Sequence, residues 1–189
     1  MWMTEAEALP YVSRGGEKLA FALQAFAISP RGLVACDLGS QLGGFVDCLL
    51  RHGAQRVYAV DTAYGTLAWE LRNDRRVVVM ERTNALHVLL PEPVDLVTID
   101  VAWTRQALIL PHALELLAPG GEVVSLLKPQ YEAMAKERRK GVVRAECWRE
   151  VVGRTLAELE RLSLPVRALA PLPSPTPGGN REVFLLLGP

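Results

Sequence analysis

The sequence predicts an α/β fold in which a mostly parallel, seven-stranded sheet carries helices on both faces and ends in an antiparallel strand. Short apolar segments that end in a charged residue alternate with segments of helical periodicity along the 189-residue chain. A glycine-containing turn at 39–44 joins the first of these strands to a helix. Near the C-terminus, the proline- and glycine-rich segment 170–180 separates two short strands and indicates a hairpin at the edge of the sheet.

The first half of the chain supplies three strands, each an apolar run followed by a turn. Leu19, Leu23 and Phe26 recur at helical spacing ahead of the first strand and predict an amphipathic helix. In order, we predict a tail at 1–12, a helix at Glu17–Phe26, a strand at Arg31–Asp37, a helix to about His52, a strand at Val57–Val60, a helix at Thr66–Arg72 and a strand at Arg76–Met80.

The second half continues the alternation of strands and helices. In order, we predict a strand at Val94–Ile99, a helix at Gln106–Leu117, a strand at Glu122–Leu127, a loop at Tyr131–Val143, a long amphipathic helix at Ala145–Leu162, a strand at Val166–Leu169 and a last strand at Val183–Leu187. One domain at 13–189 accounts for all of these elements, and the sequence contains no internal repeat.

Composition limits the classes of protein and ligand. Half of the residues are hydrophobic and 22% are charged, which is typical of a globular chain rather than a disordered one. Basic and acidic residues balance at 21 each, so an RNA substrate would require a local basic patch or a partner.

Signals for targeting, disulfides and metals are weak. Cys36, Cys48 and Cys147 form no C-x-x-C pair and indicate small apolar residues in a reducing compartment. The sequence has no signal peptide and no apolar run near 20 residues, so we expect a cytoplasmic chain with no membrane partner. The three histidines show no ligand spacing, so we expect no metal.

Charged residues stand at the ends of five predicted strands. Because the carboxyl ends of parallel strands meet at one edge of a sheet, we expect a ligand site there. The residues at these ends are Asp37, Asp61, Glu81, Asp100 and Lys128.

The turn after the first strand has two adjacent glycines, Gly43 and Gly44, which leave room for a ligand next to the backbone and the helix N-terminus. The spacing is not G-x-G-x-x-G, and an ordinary strand–turn–helix without a ligand is the alternative. Asp61 ends the second strand, where an acidic side chain can bind a ribose diol. Together these features favour a ligand that contains a nucleoside.

The predicted loop after the fifth strand is rich in basic residues. It contains Lys136 and the run Arg138-Arg139-Lys140, with Arg144 following shortly after. A solvated surface loop and a lid that touches phosphate groups are both consistent with this composition.

Several blocks of the chain resemble the TlyA, or hemolysin-A-like, family of FtsJ-like ribose methyltransferases. They recur in the order of that family and cover nearly the whole chain from Tyr11. The blocks are Tyr11–Leu19 (YVSRGGEKL), Asp37–Asp47, Tyr58–Leu71 (YAVDTAYGTLAWEL), Glu81–Ala85 (ERTNA), Asp95–Asp100, Leu127–Ala133 (LKPQYEA), Lys140–Arg144 (KGVVR) and Ser174–Glu182.

The resemblance implies a Rossmann-like methyltransferase fold that binds S-adenosylmethionine and methylates the ribose 2′-hydroxyl of ribosomal RNA. It implies a catalytic tetrad of Lys18, Asp100, Lys128 and Glu182. A ribose hydroxyl is a poor nucleophile at neutral pH, and a lysine can take its proton only in the neutral form. We therefore interpret Lys128 as the base, with Lys18 and Glu182 shaping its charge and position.

The same blocks imply the cofactor-binding residues. Asp100 would lie between the sulfonium of the cofactor and the lysines. The full set is Gly39, Ser40, Gly43, Gly44, Phe45, Asp61, Thr62, Asn84 and Asp100.

Three of the departures from the family concern the site or the capture of the substrate. Gln41-Leu42 replace a usual Ser-Thr in the glycine turn, near the methionine end of the cofactor. Ala102-Trp103 replace a usual Ser-Phe, and we assign Trp103 to core packing, with stacking on a base or on the adenine as the alternative. The family normally carries an S4-like RNA-binding domain ahead of the YVSRGG block, and we expect this chain to be a methyltransferase domain without it.

Three other functions compete with an RNA 2′-O-methyltransferase. The first is a methyltransferase with a different substrate, because we expect the chain to lack the S4-like domain. The second is a non-catalytic RNA-binding or ribosome-assembly factor, for which Gln41-Leu42 are the motive and the four tetrad residues are counter-evidence. The third is a nicotinamide-dependent oxidoreductase, which the absence of G-x-G-x-x-G disfavours.

Overall fold

The fold is built on a single mixed sheet, seen in a computed structural model that describes residues 10–164, 166–174 and 179–188. The predicted tail at 1–12 falls mostly on 1–9, and part of the block Ser174–Glu182 falls on 175–178, so both lie partly outside the described residues. The strands are β1 Val34–Leu38, β2 Arg56–Val60, β3 Val77–Met80, β4 Val94–Ile99, β5 Leu117–Leu127, β6 Arg138–Arg139, β7 Val142–Val143, β8 Val166–Pro171 and β9 Val183–Leu187.

Seven of these strands form the central sheet, in the order β3-β2-β1-β4-β5-β9-β8. Pairs between neighbours from β3 to β5 are parallel, whereas β9 is antiparallel to both β5 and β8. The predicted seven-stranded sheet with an antiparallel last strand is therefore confirmed, and the edge hairpin is β8–β9. The two short strands β6 and β7 form a separate hairpin.

Helices cover both faces of the sheet, as predicted. On one face Leu19, Leu49 and Phe184 are buried in a core that the first two helices share with the sheet. On the other face Ile109 and Leu159 are buried in a second core. The helices are α1 Arg14–Ala25, α2 Gly44–Arg51, α3 Trp69–Arg72, α4 Gln106–Glu115, α5 Pro129–Glu132 and α6 Trp148–Arg161.

The helix α1 begins three residues earlier than the periodicity predicts. Ser13 has an extended backbone, and its Oγ accepts a hydrogen bond from the backbone N–H of Gly15, which is the geometry of an N-cap. The backbone N–H of Val12 donates to Asp47 Oδ2 at 2.9 Å. Lys18 therefore lies in the second turn of α1 rather than in the first.

The predicted loop 131–143 has more structure than its sequence indicates. It contains the end of α5, a 3₁₀ turn at Ala135–Glu137 and the β6–β7 hairpin. Strand β5 also begins earlier than predicted, at Leu117, and takes in the Pro-Gly-Gly segment at 119–121, which lies between the predicted helix and the predicted strand. None of the helices in the described residues has both the length and the apolarity that a membrane crossing requires.

Candidate active site

A cavity of about 380 Å³ opens at the carboxyl edge of the parallel strands, where the sequence predicts a ligand site. Its volume falls within the range of roughly 300–1,000 Å³ that is typical of small-molecule sites. Six of the predicted site residues line it: Gly39, Asp61, Thr62, Asn84, Asp100 and Lys128.

The glycine turn between β1 and α2 is shaped by close contacts with neighbouring elements. A Cβ added at Gly39, where φ is +94°, would lie 3.0 Å from the carbonyl of Asp100 at the end of β4. A Cβ at Gly43 would lie 2.3 Å from Leu71 Cδ1, and one at Gly44 would lie 2.2 Å from Ser13 Oγ. The space beside Gly43 and Gly44 is thus filled by protein. Glycine is needed there for close packing, whereas we expected it to leave room for a ligand.

Asp61 connects the end of β2 to the glycine turn. Its Oδ2 accepts a hydrogen bond from the backbone N–H of Gln41, and its Oδ1 accepts one from that of Ala63, both at 2.8 Å. Each carboxylate oxygen has a second lone pair, so the side chain keeps capacity for a ligand hydroxyl. On the facing wall, Asn84 Oδ1 accepts a hydrogen bond from the backbone N–H of Leu86 at 3.0 Å.

A narrower cleft of about 20 Å³ adjoins the cavity and shares Gly39 and Asp100 with it. Three further predicted site residues, Ser40, Gly44 and Phe45, line this cleft. Gly43 lies behind it, against Leu71.

Asp37 also lines the narrow cleft, although we did not predict it as a binding residue. It is 1% exposed, its Oδ1 accepts a hydrogen bond from Thr98 Oγ1 at 2.8 Å, and its Oδ2 has no hydrogen-bond partner among the described residues. Burial raises the pKa of Asp37 to about 8; the Thr98 hydrogen bond opposes this rise, and the carboxylates of Asp100 and Asp61 add to it. Its position at the end of β1 was the sequence feature from which Asp37 could have been predicted as a binding residue.

Asp100 and Lys128 form an ion pair at the ends of the adjacent strands β4 and β5. Lys128 Nζ lies 2.5 Å from Asp100 Oδ1, but the contact lacks hydrogen-bond geometry, and this buried oxygen has no hydrogen-bond partner in the described part of the chain. The amine instead donates to the carbonyls of Asp100 and Val101, at 3.3 and 3.1 Å. Three oxygen atoms therefore fix the position of the Lys128 amine.

Lys18 and Glu182 form a second pair next to the first. Lys18 Nζ donates to Glu182 Oε2 at 2.7 Å, and Glu182 is 4% exposed. Strands β5 and β9 are antiparallel with Leu127 paired to Val183, so the next residues, Lys128 and Glu182, stand opposite each other. The four predicted tetrad residues thus fall into two pairs joined by the β5–β9 register.

Glu81 differs from Asp61, Asp100 and Lys128, the other charged residues at strand ends that face the cavity, because it does not line the cavity. It accepts hydrogen bonds from the backbone N–H of Gly65, at 2.9 Å, and from the guanidinium of Arg72. Burial alone would raise the pKa of Glu81, but these contacts outweigh it and the pKa is lowered. We assign Glu81 to holding the β2–α3 loop.

Trp103 does not pack in the core, and our assignment of it there is wrong. Its residue is 82% exposed and lines the mouth of the cavity, with its ring centroid 4.9 Å from that of Tyr131. The backbone at Trp103 is left-handed, with φ of +62°, which directs the chain away from the sheet after β4. An aromatic residue that follows an apolar strand is typical of a core sequence, so the hydrophobic pattern does not indicate that Trp103 is exposed.

Comparison with known proteins identifies the class. The fold is that of the Rossmann-like S-adenosylmethionine-dependent methyltransferases. Fibrillarin of Aeropyrum pernix, solved with S-adenosyl-L-methionine bound, is 21% identical and superposes with a TM-score of 0.65 over 93% of this chain and 76% of its own. At that identity the likeness concerns the fold alone.

The FtsJ-like methyltransferase profile matches residues 11–188. The chain belongs to the FtsJ-like methyltransferase family and, within it, to the TlyA group. The TlyA protein of Mycobacterium tuberculosis, named a 16S/23S rRNA (cytidine-2′-O)-methyltransferase, is 44% identical over 186 residues, which are 94% of this chain and 68% of that protein.

A solved structure from Streptococcus thermophilus, described as a candidate hemolysin, is 36% identical with a TM-score of 0.89. The superposition covers 97% of this chain and 68% of that one. The chain spans between about half and about two thirds of the length of the curated relatives named as rRNA methyltransferases.

Proposed function

We propose that this chain is an S-adenosylmethionine-dependent methyltransferase that acts on a ribose 2′-hydroxyl of RNA, with ribosomal RNA as the substrate class. One observation carries the proposal: two lysine–carboxylate pairs lie where β5 and β9 adjoin, and one of them, Asp100–Lys128, lines a cavity at the carboxyl edge of the sheet. The name of the M. tuberculosis relative supports the choice of substrate. In this proposal residues 13–189 are the methyltransferase domain and 1–12 a tail.

The residues around the cavity fit S-adenosylmethionine. Asp37 Oδ2, a buried carboxyl oxygen without a hydrogen-bond partner among the described residues, suits a hydrogen-bonding group of the ligand. Asp61 suits a ribose diol. The other proposed contacts are Gly39, Ser40, Gly43, Gly44, Phe45, Thr62 and Asn84. When bound, this cofactor supplies a methyl group activated by a positively charged sulfur.

Lys128 is the proposed catalytic base. When the ribose oxygen bonds to the methyl carbon, the bond from that carbon to the cofactor sulfur would break and S-adenosylhomocysteine would leave. Lys128 Nζ would accept the hydroxyl proton, which requires the neutral amine. The contacts with Asp100 and with two carbonyls hold Nζ at one position, and proton transfer depends on such positioning. Lys18 and Glu182 are proposed to place a balanced pair of charges next to this amine.

The Trp103–Tyr131 pair, in which Trp103 is exposed and Tyr131 is half-buried, supports a nucleic-acid substrate. Aromatic faces that are open to solvent stack on unpaired bases, and such stacking contributes roughly 1–3 kcal/mol per base. Trp103 lines the same cavity as Lys128. A base held there would keep its ribose near the proposed base.

A second candidate function is a non-catalytic RNA-binding or ribosome-assembly factor. The observation in its favour is the glycine turn, where Gln41 has a left-handed φ of +48° and Leu42 is exposed. In relatives we expect Ser-Thr there, so two hydroxyl groups near the proposed cofactor are missing. A methyltransferase for a different substrate remains the third candidate.

The proposed function is tested by methylation of ribosomal subunits and of naked rRNA with labelled S-adenosylmethionine, comparing the wild-type chain with Lys128→Met and Lys128→Arg. We expect both variants to lower kcat by roughly 10²–10⁴-fold, because arginine keeps the charge but cannot act as a base. Binding of S-adenosylhomocysteine, measured by calorimetry, should be retained and serves as the folding control.

Each result separates the candidates. Wild-type rates in Lys128→Met would overturn the assignment of the base. Cofactor binding without methylation of any RNA favours a different substrate, and the absence of cofactor binding favours the non-catalytic factor.

A further inference from the structure

The β6–β7 hairpin concentrates positive charge on a chain that is neutral overall. Residues 136–144 (KERRKGVVR) contain five basic residues and one acidic residue, whereas the whole chain has 21 of each. The acidic residue, Glu137, is buried and bound to Arg154 on α6 by two hydrogen bonds of 2.9 and 2.8 Å. The surface of the hairpin is therefore cationic.

The turn of the hairpin presents its charges to solvent. Lys140 and Gly141 have φ of +50° and +81°, which is the backbone pattern of a tight two-residue hairpin turn with Lys140 at the tip. Arg139 and Arg144 are exposed on either side of an open groove of about 500 Å³. Within the described residues neither Arg139 nor Lys140 has a carboxylate within 4 Å, and Arg144 has only the exposed Glu146, at 4.0 Å.

Hydrogen bonds fix this hairpin to the segments that carry the two lysine–carboxylate pairs. Asn180 Oδ1 accepts from the backbone N–H of Val143 at 3.1 Å, and Asn180 Nδ2 donates to the carbonyl of Gly141 at 3.2 Å. Asn180 stands two residues before Glu182. On the other side, Arg138 donates to the carbonyl of Gln130, two residues after Lys128, at 3.0 Å.

Hydrogen bonds also fix the 3₁₀ turn that precedes the hairpin. Glu137 accepts a hydrogen bond from the backbone N–H of Met134 at 2.7 Å, and its carbonyl accepts one from the backbone N–H of Arg144 at 2.9 Å. The Arg154 guanidinium beside Glu137 is the main cause that lowers the pKa of this carboxyl, so the anchor stays ionised at neutral pH.

From this arrangement we infer that the β6–β7 hairpin, through Arg139, Lys140 and Arg144, binds backbone phosphates of the RNA substrate. The inference rests on the proposed function and names the surface that captures the substrate. Exposed guanidinium and ammonium groups bind phosphate through charge-assisted hydrogen bonds. Because the hairpin is anchored two residues from Lys128 and from Glu182, a phosphate held there sets the register of the strand relative to the cavity.

RNA is favoured over an anionic membrane as the partner. The exposed side chains of the hairpin itself are those of Arg139 and Lys140, with Arg144 exposed directly after it, while Val143 is buried and Val142 half-buried. A surface that enters a lipid interface would expose apolar side chains beside its charges.

The test removes the three charges together in Arg139→Gln/Lys140→Gln/Arg144→Gln. A matched control, Arg31→Gln/Arg75→Gln/Arg161→Gln, removes three exposed arginines elsewhere on the surface. Binding is measured by fluorescence anisotropy, over a range of salt concentrations, with an RNA oligonucleotide whose 2′-hydroxyls are all methylated, so that no reaction occurs. Calorimetry with S-adenosylhomocysteine reports on the fold of each variant.

We expect the hairpin variant to bind this RNA roughly ten- to a hundredfold more weakly at 0.1 M salt. The slope of log K against log salt should decrease by about 2–3, or roughly 0.7–0.9 for each lost phosphate contact. In methylation assays KM for RNA should rise by a similar factor with kcat unchanged at saturation. The control variant should match the wild-type chain.

Several outcomes would overturn the inference. Equally weakened RNA binding in both triple variants would show that only the net charge matters. Unchanged RNA binding in the hairpin variant would show that the hairpin does not bind RNA. Loss of binding to phosphatidylglycerol vesicles without loss of RNA binding would assign the hairpin to membranes. Hairpin-dependent RNA binding by a chain that methylates no RNA would overturn the proposed function while the inference stands.

Discussion

Lys18 Nζ lies 2.7 Å from Glu182 Oε2, although 164 residues separate the two along the chain. The pair joins the second turn of α1 to the residue that precedes β9. Glu182 is almost fully buried, and within the described part of the chain Lys18 is the cation that lies within 4 Å of its carboxylate and compensates its charge. The first and last segments of the domain are thus tied together beside the proposed base.

The unequal burial of the two partners predicts unequal costs of removing them. We expect Lys18→Met to lower the free energy of unfolding by about 1–3 kcal/mol, because it leaves a buried carboxylate without a partner. Glu182→Gln should cost less, since a quarter of the Lys18 side chain is exposed to water. Urea denaturation of both variants at pH 7 provides the measurement.

The double variant Lys18→Met/Glu182→Gln is the control for this pair. It removes both charges, so it should be more stable than Lys18→Met alone. If the costs of the two single changes simply add in the double variant, the pair does not contribute to stability as a unit.

Asp61 should determine cofactor affinity through the glycine turn. Asp61→Ala removes the acceptor for the backbone N–H groups of Gln41 and Ala63. The turn then loses its side-chain hydrogen bond to the end of β2, although the backbone N–H groups of Gly39 and Ser40 still donate to the carbonyl of Val60. A ribose also loses its acceptor, so we expect the Kd for S-adenosylhomocysteine to rise roughly 10–100-fold. Calorimetric titration gives this constant directly.

Asp74 offers a matched control for Asp61. Its carboxylate also accepts a hydrogen bond from the backbone N–H group two residues later, which is that of Arg76, at 2.9 Å. Asp74 lies in the turn before β3, away from the glycine turn. Asp74→Ala should leave the Kd unchanged. Equal weakening in both variants would mean that the loss of a turn, rather than of a cofactor contact, explains the result.

The sheet could be predicted from the sequence because its signals are local. The run at Val57–Val60 is apolar throughout, the run at Val94–Ile99 is apolar except for Asp95 and Thr98, and each is followed by an acidic residue. The cavity at the strand ends follows from that topology. Lys18 and Glu182 entered only through the resemblance, since no local pattern relates two residues so far apart in the chain.

Errors arose where a few residues decide the conformation. Two-residue strands such as Arg138–Arg139 and Val142–Val143 are too short to have a periodicity, so the hairpin was hidden in a predicted loop. At Trp103 a single left-handed residue turns the ring outward. Neither feature changes the hydrophobic pattern from which the sheet is predicted.

Asp37 should make the stability of the protein depend on pH. In the unfolded chain this carboxyl has a pKa of about 3.9, whereas burial raises it to about 8 in the folded protein. The folded state therefore binds the proton more tightly, and the contribution of Asp37 to stability is complete below about pH 4 and lost as the pH rises through 8. We expect this loss to be on the order of a few kcal/mol.

Asp37→Asn isolates this effect from other titrating groups. The amide is neutral at every pH and keeps an oxygen for the hydrogen bond from Thr98 Oγ1. Between pH 5 and 8 the stability of the wild-type chain, measured by urea denaturation, should fall relative to that of the variant. Parallel curves over this range would mean that Asp37 is ionised in the folded protein throughout.

Trp103 should serve substrate binding and contribute little to stability. Because it is mostly exposed, Trp103→Ala should change the free energy of unfolding by less than about 0.5 kcal/mol. The loss of a stacking partner for a base should raise KM for RNA by roughly 5–100-fold, and Trp103→Phe should restore most of the affinity because it keeps an aromatic face. Methylation kinetics and urea denaturation separate the two effects.

Trp69 is the matched control, since it is 75% exposed but lies on α3 and does not line the cavity in the described structure. Trp69→Ala should leave KM for RNA unchanged, because its ring is open to solvent away from Lys128. A rise in KM in both variants would indicate that any exposed indole on this chain binds RNA. A loss of stability of several kcal/mol in Trp103→Ala would instead return Trp103 to a packing role, as the sequence first indicated.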